Sequence, residues 1–121
     1  MEDIKQQIED IDFENRGYPR FDIHLPIEYY QMKSSITHTG NISEGGLLIY
    51  FPEAMDVSQY LRLKLFFSSG SELNTIEMLA KVVWMNTELA EGEKLYRSGV
   101  RFIKISPEDM TKLKDFLASL S

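Results

Sequence analysis

Two short stretches carry side chains suited to gripping a small anion. The first is Asn41-Ile42-Ser43-Glu44-Gly45-Gly46. In an extended backbone Asn41 and Ser43, two apart, leave on the same face, so two short polar side chains can reach one partner. Gly45-Gly46 supplies a corner at which positive φ costs nothing and a ligand can approach backbone N–H groups. The same residue types also make an ordinary turn after a strand. The second stretch is Arg16-Gly17-Tyr18-Pro19-Arg20. Fully extended, it would hold its two arginines about 13 Å apart, too far to share one phosphate or base. Gly17 and Pro19 favour a curve, and the proline holds Tyr18 extended. A curved loop can close both guanidinium forks on one ligand, pairing with phosphate or the O6/N7 edge of guanine and stacking on flat rings.

The elements that must position these pieces read as strands. From Phe21 the pattern has period two, with Ile23, Leu25, Ile27 and Tyr29 on one face and Asp22, His24, Glu28 and Tyr30 mainly on the other. Pro26 interrupts its hydrogen bonding, which implies an edge or a bulge. Residues 35–42 and 47–51 form the next two strands, and residues 51–56 a loop. A fourth strand alternates through Leu61, Leu63, Leu65 and Phe67. A long fifth has Ile76, Met78, Ala80, Val82 and Trp84 on one face, with Leu79, Val83 and Met85 making the other partly apolar; a sixth covers residues 94–105. Six short antiparallel strands separated by turns predict a closed or nearly closed barrel. Ser106 as N-cap, Pro107 at the first helical position and Asp109 in a capping-box-like role start a final helix. Its stripe of Met110, Leu113, Leu117 and Leu120 must be buried over a barrel mouth or against another chain, a homodimer included.

The 121 residues suffice for one domain with a real core, and 43% are apolar. No apolar run is long enough to span a membrane and no basic, apolar leader opens the chain, which reads as cytoplasmic. The absence of cysteine excludes disulfides, thiolate catalysis and cysteine-ligated zinc. The net charge of −6 is concentrated. Residues 1–15 hold Glu2, Asp3, Glu9, Asp10, Asp12 and Glu14 against Lys5 alone, leaving 12 basic and 13 acidic side chains elsewhere. Without a basic field, a DNA or RNA polymer is not the expected partner. Ile4, Ile8 and Ile11 recur at helical spacing, so residues 2–12 form a short amphipathic helix if they can dock; alone such a helix frays.

Other constellations carry little chemistry. His24 and His38 could face each other across strands, but no spacing supplies the further ligands a metal needs. Glu88, Glu91 and Glu93 read as a solvated turn rather than a tuned carboxylate pair. No nucleophile elbow or Gly-Lys-Ser/Thr phosphate loop is present, so no enzyme is expected. Trp84, the single tryptophan, either fills the barrel wall or covers the edge of a flat ligand.

Arg16-x-x-x-Arg20 followed by Asn41-x-Ser43-x-x-Gly46 resembles the paired signature of the PilZ domain family, bacterial receptors for cyclic di-GMP. Further landmarks occur in family order: Arg20-Phe21 at the first strand, Gly46-Leu47-Leu48-Ile49 after the corner, Val82-Val83-Trp84, and Tyr96-Arg97-Ser98-Gly99-Val100-Arg101-Phe102. The resemblance covers residues 15–118. The charge distribution sets off an acidic segment over residues 1–14, and over 15–121 the resemblance implies a mainly β six-stranded antiparallel barrel with a C-terminal helix. It further implies a stand-alone receptor that binds cyclic di-GMP through Arg16, Arg20, Asn41, Ser43 and Gly46, needs no cofactor or metal, and signals to an effector protein in trans. Some relatives carry an additional arginine where this chain has Asn15, which favours one bound ligand over a stacked pair. The alternative is a module that binds no nucleotide and acts through a protein partner in pili, motility or secretion.

Overall fold

The computed structural model describes residues 18–30, 34–90 and 92–121. Six strands, β1 (Pro26–Tyr30), β2 (Ser34–Ile42), β3 (Gly46–Phe51), β4 (Tyr60–Ser69), β5 (Glu72–Ala90) and β6 (Glu93–Ile105), are followed by a helix, α1 (Pro107–Leu120). Antiparallel pairing in the order β1-β2-β3-β6-β5-β4 closes the sheet into a barrel, with β1 returning to β4. The expected helix over residues 2–12 lies outside the described residues.

Alternation sets the core. Ile27, Tyr29, Leu47, Ile49, Phe51, Leu61, Leu63, Leu65, Ile76, Ala80, Val82 and Val100 point inward and are almost fully buried. The first strand is shorter than its apolar pattern suggests, because Pro26 lacks the N–H that would continue the ladder. Upstream of it the chain is held by a side chain instead. Buried Thr39 accepts a bond from Leu25 N–H (3.0 Å) and donates one to the Ile23 carbonyl (2.8 Å), so Ile23 and Leu25 still pack on the core.

Three register shifts interrupt the ladders: between Thr39 and Asn41 on β2, between Val82 and Trp84 on β5, and between Leu79 and Ala80 of β5, where β6 carries the extra residue Ile103. At the second, Val82 exchanges backbone bonds with Ser58 and Gln59 of the preceding loop (2.7 and 2.9 Å). The extra residue there, Val83, reverses the parity: Val82 points in, Trp84 points out and Met85 packs on the core. Trp84 therefore leaves the core face on which unbroken alternation would put it.

The helix begins as its sequence signals require, with the Ser106 hydroxyl accepting from Asp109 N–H at 3.1 Å and Pro107 in the first turn. The Asp109 carboxylate does not close a reciprocal cap; it accepts the Glu77 N–H of β5 at 3.1 Å. Leu113, Phe116 and Leu117 enter the barrel core, Phe116 meeting Phe67 at 4.4 Å between ring centroids. A helix contributing to the interior of a closed sheet can do so only across an open end, so α1 stoppers one mouth. Phe116 replaces Leu120 in the expected stripe, Leu120 being 38% exposed. Among the described residues no helix is long and apolar enough to cross a membrane.

Candidate functional site

The arm leading into the barrel is tied to the end of β2 before the first strand starts. Phe21 and Ile42 exchange both backbone hydrogen bonds at 3.0 Å, an isolated antiparallel bridge. That bridge sets Arg20 beside Asn41, and the Arg20 Nη1 donates to Asn41 Oδ1 at 2.5 Å. Arg20 is half-buried, as is Asn41. The contact fixes the orientation of the guanidinium beside the amide. Arg16 lies outside the described residues.

The corner after β2 is built by Ser43. Its backbone N–H donates to the Gly46 carbonyl at 2.8 Å, and its fully buried hydroxyl accepts from Gly45 N–H (3.2 Å) and Gly46 N–H (3.3 Å). Neither glycine takes a positive φ, contrary to the expectation from their type. The hydroxyl bends the chain, and the glycines let it pass close to β6, where Phe102 N–H donates to the Gly45 carbonyl at 2.9 Å. Asn41 and Ser43 thus have different surroundings: the amide meets Arg20, and the hydroxyl meets amides of its own corner.

Cross-strand register extends the site beyond the two motifs. Asn41 lies opposite Leu48, Leu48 opposite Gly99, and Gly99 opposite Trp84, one row across β2, β3, β6 and β5. Three strand spacings make this row about 14 Å wide. Gly99 has no side chain because the Trp84 indole occupies its place; a Cβ there would stand 2.6 Å from Cε2. The β5 bulge thus sets Trp84 half-buried on the outer face of the barrel wall, packed over Gly99, rather than in the interior. The Arg97 guanidinium carbon sits 5.7 Å from the indole centroid, and Arg101 lies opposite Gly46. Sequence reading treated Arg97 and Arg101 only as landmarks. Their signal was available: in a strand, residues 97, 99 and 101 share one face, and buried Ser98 and Val100 show it to be the outer one.

A hollow of about 450 Å³ adjoins the row, bounded by Tyr18, Glu44, Gly45, Arg101 and Met110 among others. Elsewhere, His24, His38 and Tyr50 form a stacked column with ring centroids 5.4 and 5.2 Å apart. Parallel histidine rings do not converge on an ion, and among the described residues no group of three His, Asp or Glu could hold a metal. The Tyr30 phenol is raised above the usual tyrosine range, first by its hydrogen bond to Glu28 and then by desolvation and the charges of Glu28 and Glu77.

The PilZ domain model matches residues 14–119. No curated protein matches the sequence. Among solved structures, the Bacillus subtilis inhibitor of motility MotI/DgrA is similar at a TM-score of 0.73 and 23% identity, over 84% of this chain and 48% of that one. The PilZ domain of Escherichia coli YcgR with c-di-GMP gives 0.69 and 14%, over 87% and 90%. The K. pneumonia MrkH–c-di-GMP complex gives 0.67 and 17%, over 87% and 52%. The chain thus spans about half the length of MotI/DgrA and of MrkH, and at these identities the likeness is one of fold.

Proposed function

We propose that this chain, which belongs to the PilZ domain family, is a receptor for cyclic di-GMP that signals to an effector protein in trans. The ligand offers two phosphates and two guanines, and so calls for placed cations, neutral hydrogen-bonding groups and a flat wall. Arg16 and Arg20 bind phosphate oxygens and the guanine O6/N7 edge. Asn41 orients Arg20 and adds its own amide, Ser43 and Gly46 hold the corner close to the ligand, and Trp84 forms the far edge.

The observation that carries this reading is the row from the Arg20–Asn41 contact to the Trp84 indole over Gly99. Its width of about 14 Å suits a dinucleotide rather than a lone phosphate. Two of the structural neighbours, YcgR and MrkH, are complexes with c-di-GMP, which supports the choice of ligand. The test is a titration of the full chain with cyclic di-GMP, followed through the emission of its single tryptophan. Saturable quenching or a spectral shift, absent with GMP, is the expected result. An unchanged spectrum together with no heat of binding would leave the nucleotide-independent module as the better account.

A further inference from the structure

β5 and β6 run further than the barrel they help to close. On one side β6 keeps its neighbour as far as Tyr96, which lies opposite Phe51 of β3. On the other, β4 begins at Tyr60, opposite Lys81, and the loop before it reaches only Val82, through Ser58 N–H and the Gln59 carbonyl. The β5–β6 ladder nevertheless continues to Ala90 opposite Glu93. Parity shows which way the backbone of this extension faces. Phe102 N–H points to β3, at the Gly45 carbonyl, and the register of β3 with β6 is unbroken. In β6, residues 96, 98, 100 and 102 therefore turn their backbone groups to β3, and residues 95, 97 and 99 turn theirs to β5. The β5 partners of that second set are Glu88, Asn86 and Trp84. Met85, Thr87 and Leu89 thus direct N–H and C=O away from β6, where among the described residues no strand pairs with them. The result is an open strand edge about 17 Å long from Met85 to Ala90, on which Asn86 and Thr87 are exposed.

We infer that this edge pairs with the same edge of a second copy of the chain. Antiparallel pairing about a two-fold axis at Thr87 sets that residue opposite its own counterpart, and Met85 of each copy opposite Leu89 of the other. Residues 85, 87 and 89 are the ones that present their backbone groups outward, so each of these pairs is of the kind that exchanges two hydrogen bonds. The edge is also self-complementary in residue type. A Thr–Thr pair on the axis is a favourable cross-strand pair, Met85 falls opposite an apolar residue, and Asn86 falls opposite Glu88, so no like charges are brought together. Residues 84–90 contain neither proline nor lysine, which commonly blunt unpaired strands. A strand from an unrelated protein would need to match the backbone alone; the side-chain register about Thr87 is what selects a second copy. Pairing joins two β5–β6 ribbons into one four-stranded sheet and leaves the ladder within each chain intact. So short an edge makes a small interface, and the association is weak and dependent on concentration. The inference does not rest on the nucleotide reading, since it uses only backbone parity and register.

Sedimentation equilibrium of the full chain, from about 10 µM to about 1 mM, tests it. The wild type should pass from monomer toward dimer across that range. Thr87→Pro removes the N–H at the axis without touching the ladder to β6, so it should melt close to the wild type and weaken association by more than about tenfold. Because residue 87 faces itself, T87K and T87E should each weaken association about three- to tenfold, and their equimolar mixture should recover it to within about twofold of the wild type. A wild type that stays monomeric throughout overturns the proposal and leaves the edge to a strand of another protein. So does a dimer that keeps its full strength in Thr87→Pro. A dimer weakened by T87K and by T87E but not recovered in their mixture overturns it too, by placing residue 87 off the axis.

Discussion

Replacing Ser43 with alanine separates the two roles its position allows, building the corner or touching the ligand. The hydroxyl is fully buried and accepts from two amides, Gly45 N–H at 3.2 Å and Gly46 N–H at 3.3 Å. Removing it strands two buried donors, each of which costs about 1–3 kcal/mol when unsatisfied. These bonds are long, and Ser43 N–H still holds the Gly46 carbonyl at 2.8 Å, so the lower part of the range applies and the sum comes to about 2–3 kcal/mol. For a domain of this size that lowers the thermal midpoint by roughly 6–12 °C, readable by calorimetry. Affinity for cyclic di-GMP, measured well below that midpoint, falls less than for Arg20→Ala, because the corner persists in the folded fraction. A Ser43→Ala protein that melts with the wild type yet loses the nucleotide would refute the reasoning, and would make the hydroxyl a direct contact.

Five further outcomes follow from packing and charge. Gly99→Ala puts a Cβ into the indole and costs about 1–3 kcal/mol by overpacking, with a shift in Trp84 emission as the indole is displaced. Thr39→Val orphans Leu25 N–H and the Ile23 carbonyl, costing about 1–3 kcal/mol in urea unfolding, whereas Ser98→Ala is neutral or slightly stabilising because the buried Ser98 hydroxyl makes no hydrogen bond among the described residues. Leu113→Ala opens a cavity where α1 stoppers the barrel and costs about 2–5 kcal/mol by the same assay. Deleting residues 1–13, which carry Glu2, Asp3, Glu9, Asp10 and Asp12 against Lys5, tightens binding of the anionic cyclic di-GMP in calorimetry by removing like charge; unchanged or weaker affinity would argue against that repulsion.

Much of the barrel was legible because alternation is a strong signal where one face is dry. Leu61, Leu63, Leu65 and Phe67 could belong to nothing but a half-buried strand, and Ser106-Pro107 could scarcely fail to start a helix. What alternation cannot register is an inserted residue. The bulge at Val83 turned Trp84 from the core to the outer face, and no local propensity marks a bulge among β-branched residues. Pro26 announced an interruption, but not that Thr39, fourteen positions downstream of Leu25, would hold the interrupted stretch. In the site, residue types foretold that Arg20 and Asn41 belong together. They did not foretell that Ser43 would be committed to its own corner, since a hydroxyl serves ligand and backbone equally well. Nor did they reveal the row joining Asn41 to Trp84, because register between distant strands is a property of the closed sheet.

The receptor account stands on the guanidinium of Arg20, and a paired calorimetric titration of the wild type and Arg20→Ala with cyclic di-GMP examines it. Loss of one charge-assisted contact set is worth about 1.5–3 kcal/mol, so the variant should bind about 10- to 150-fold more weakly while melting close to the wild type. Equal affinity for the two proteins, or no binding by the wild type, would contradict it.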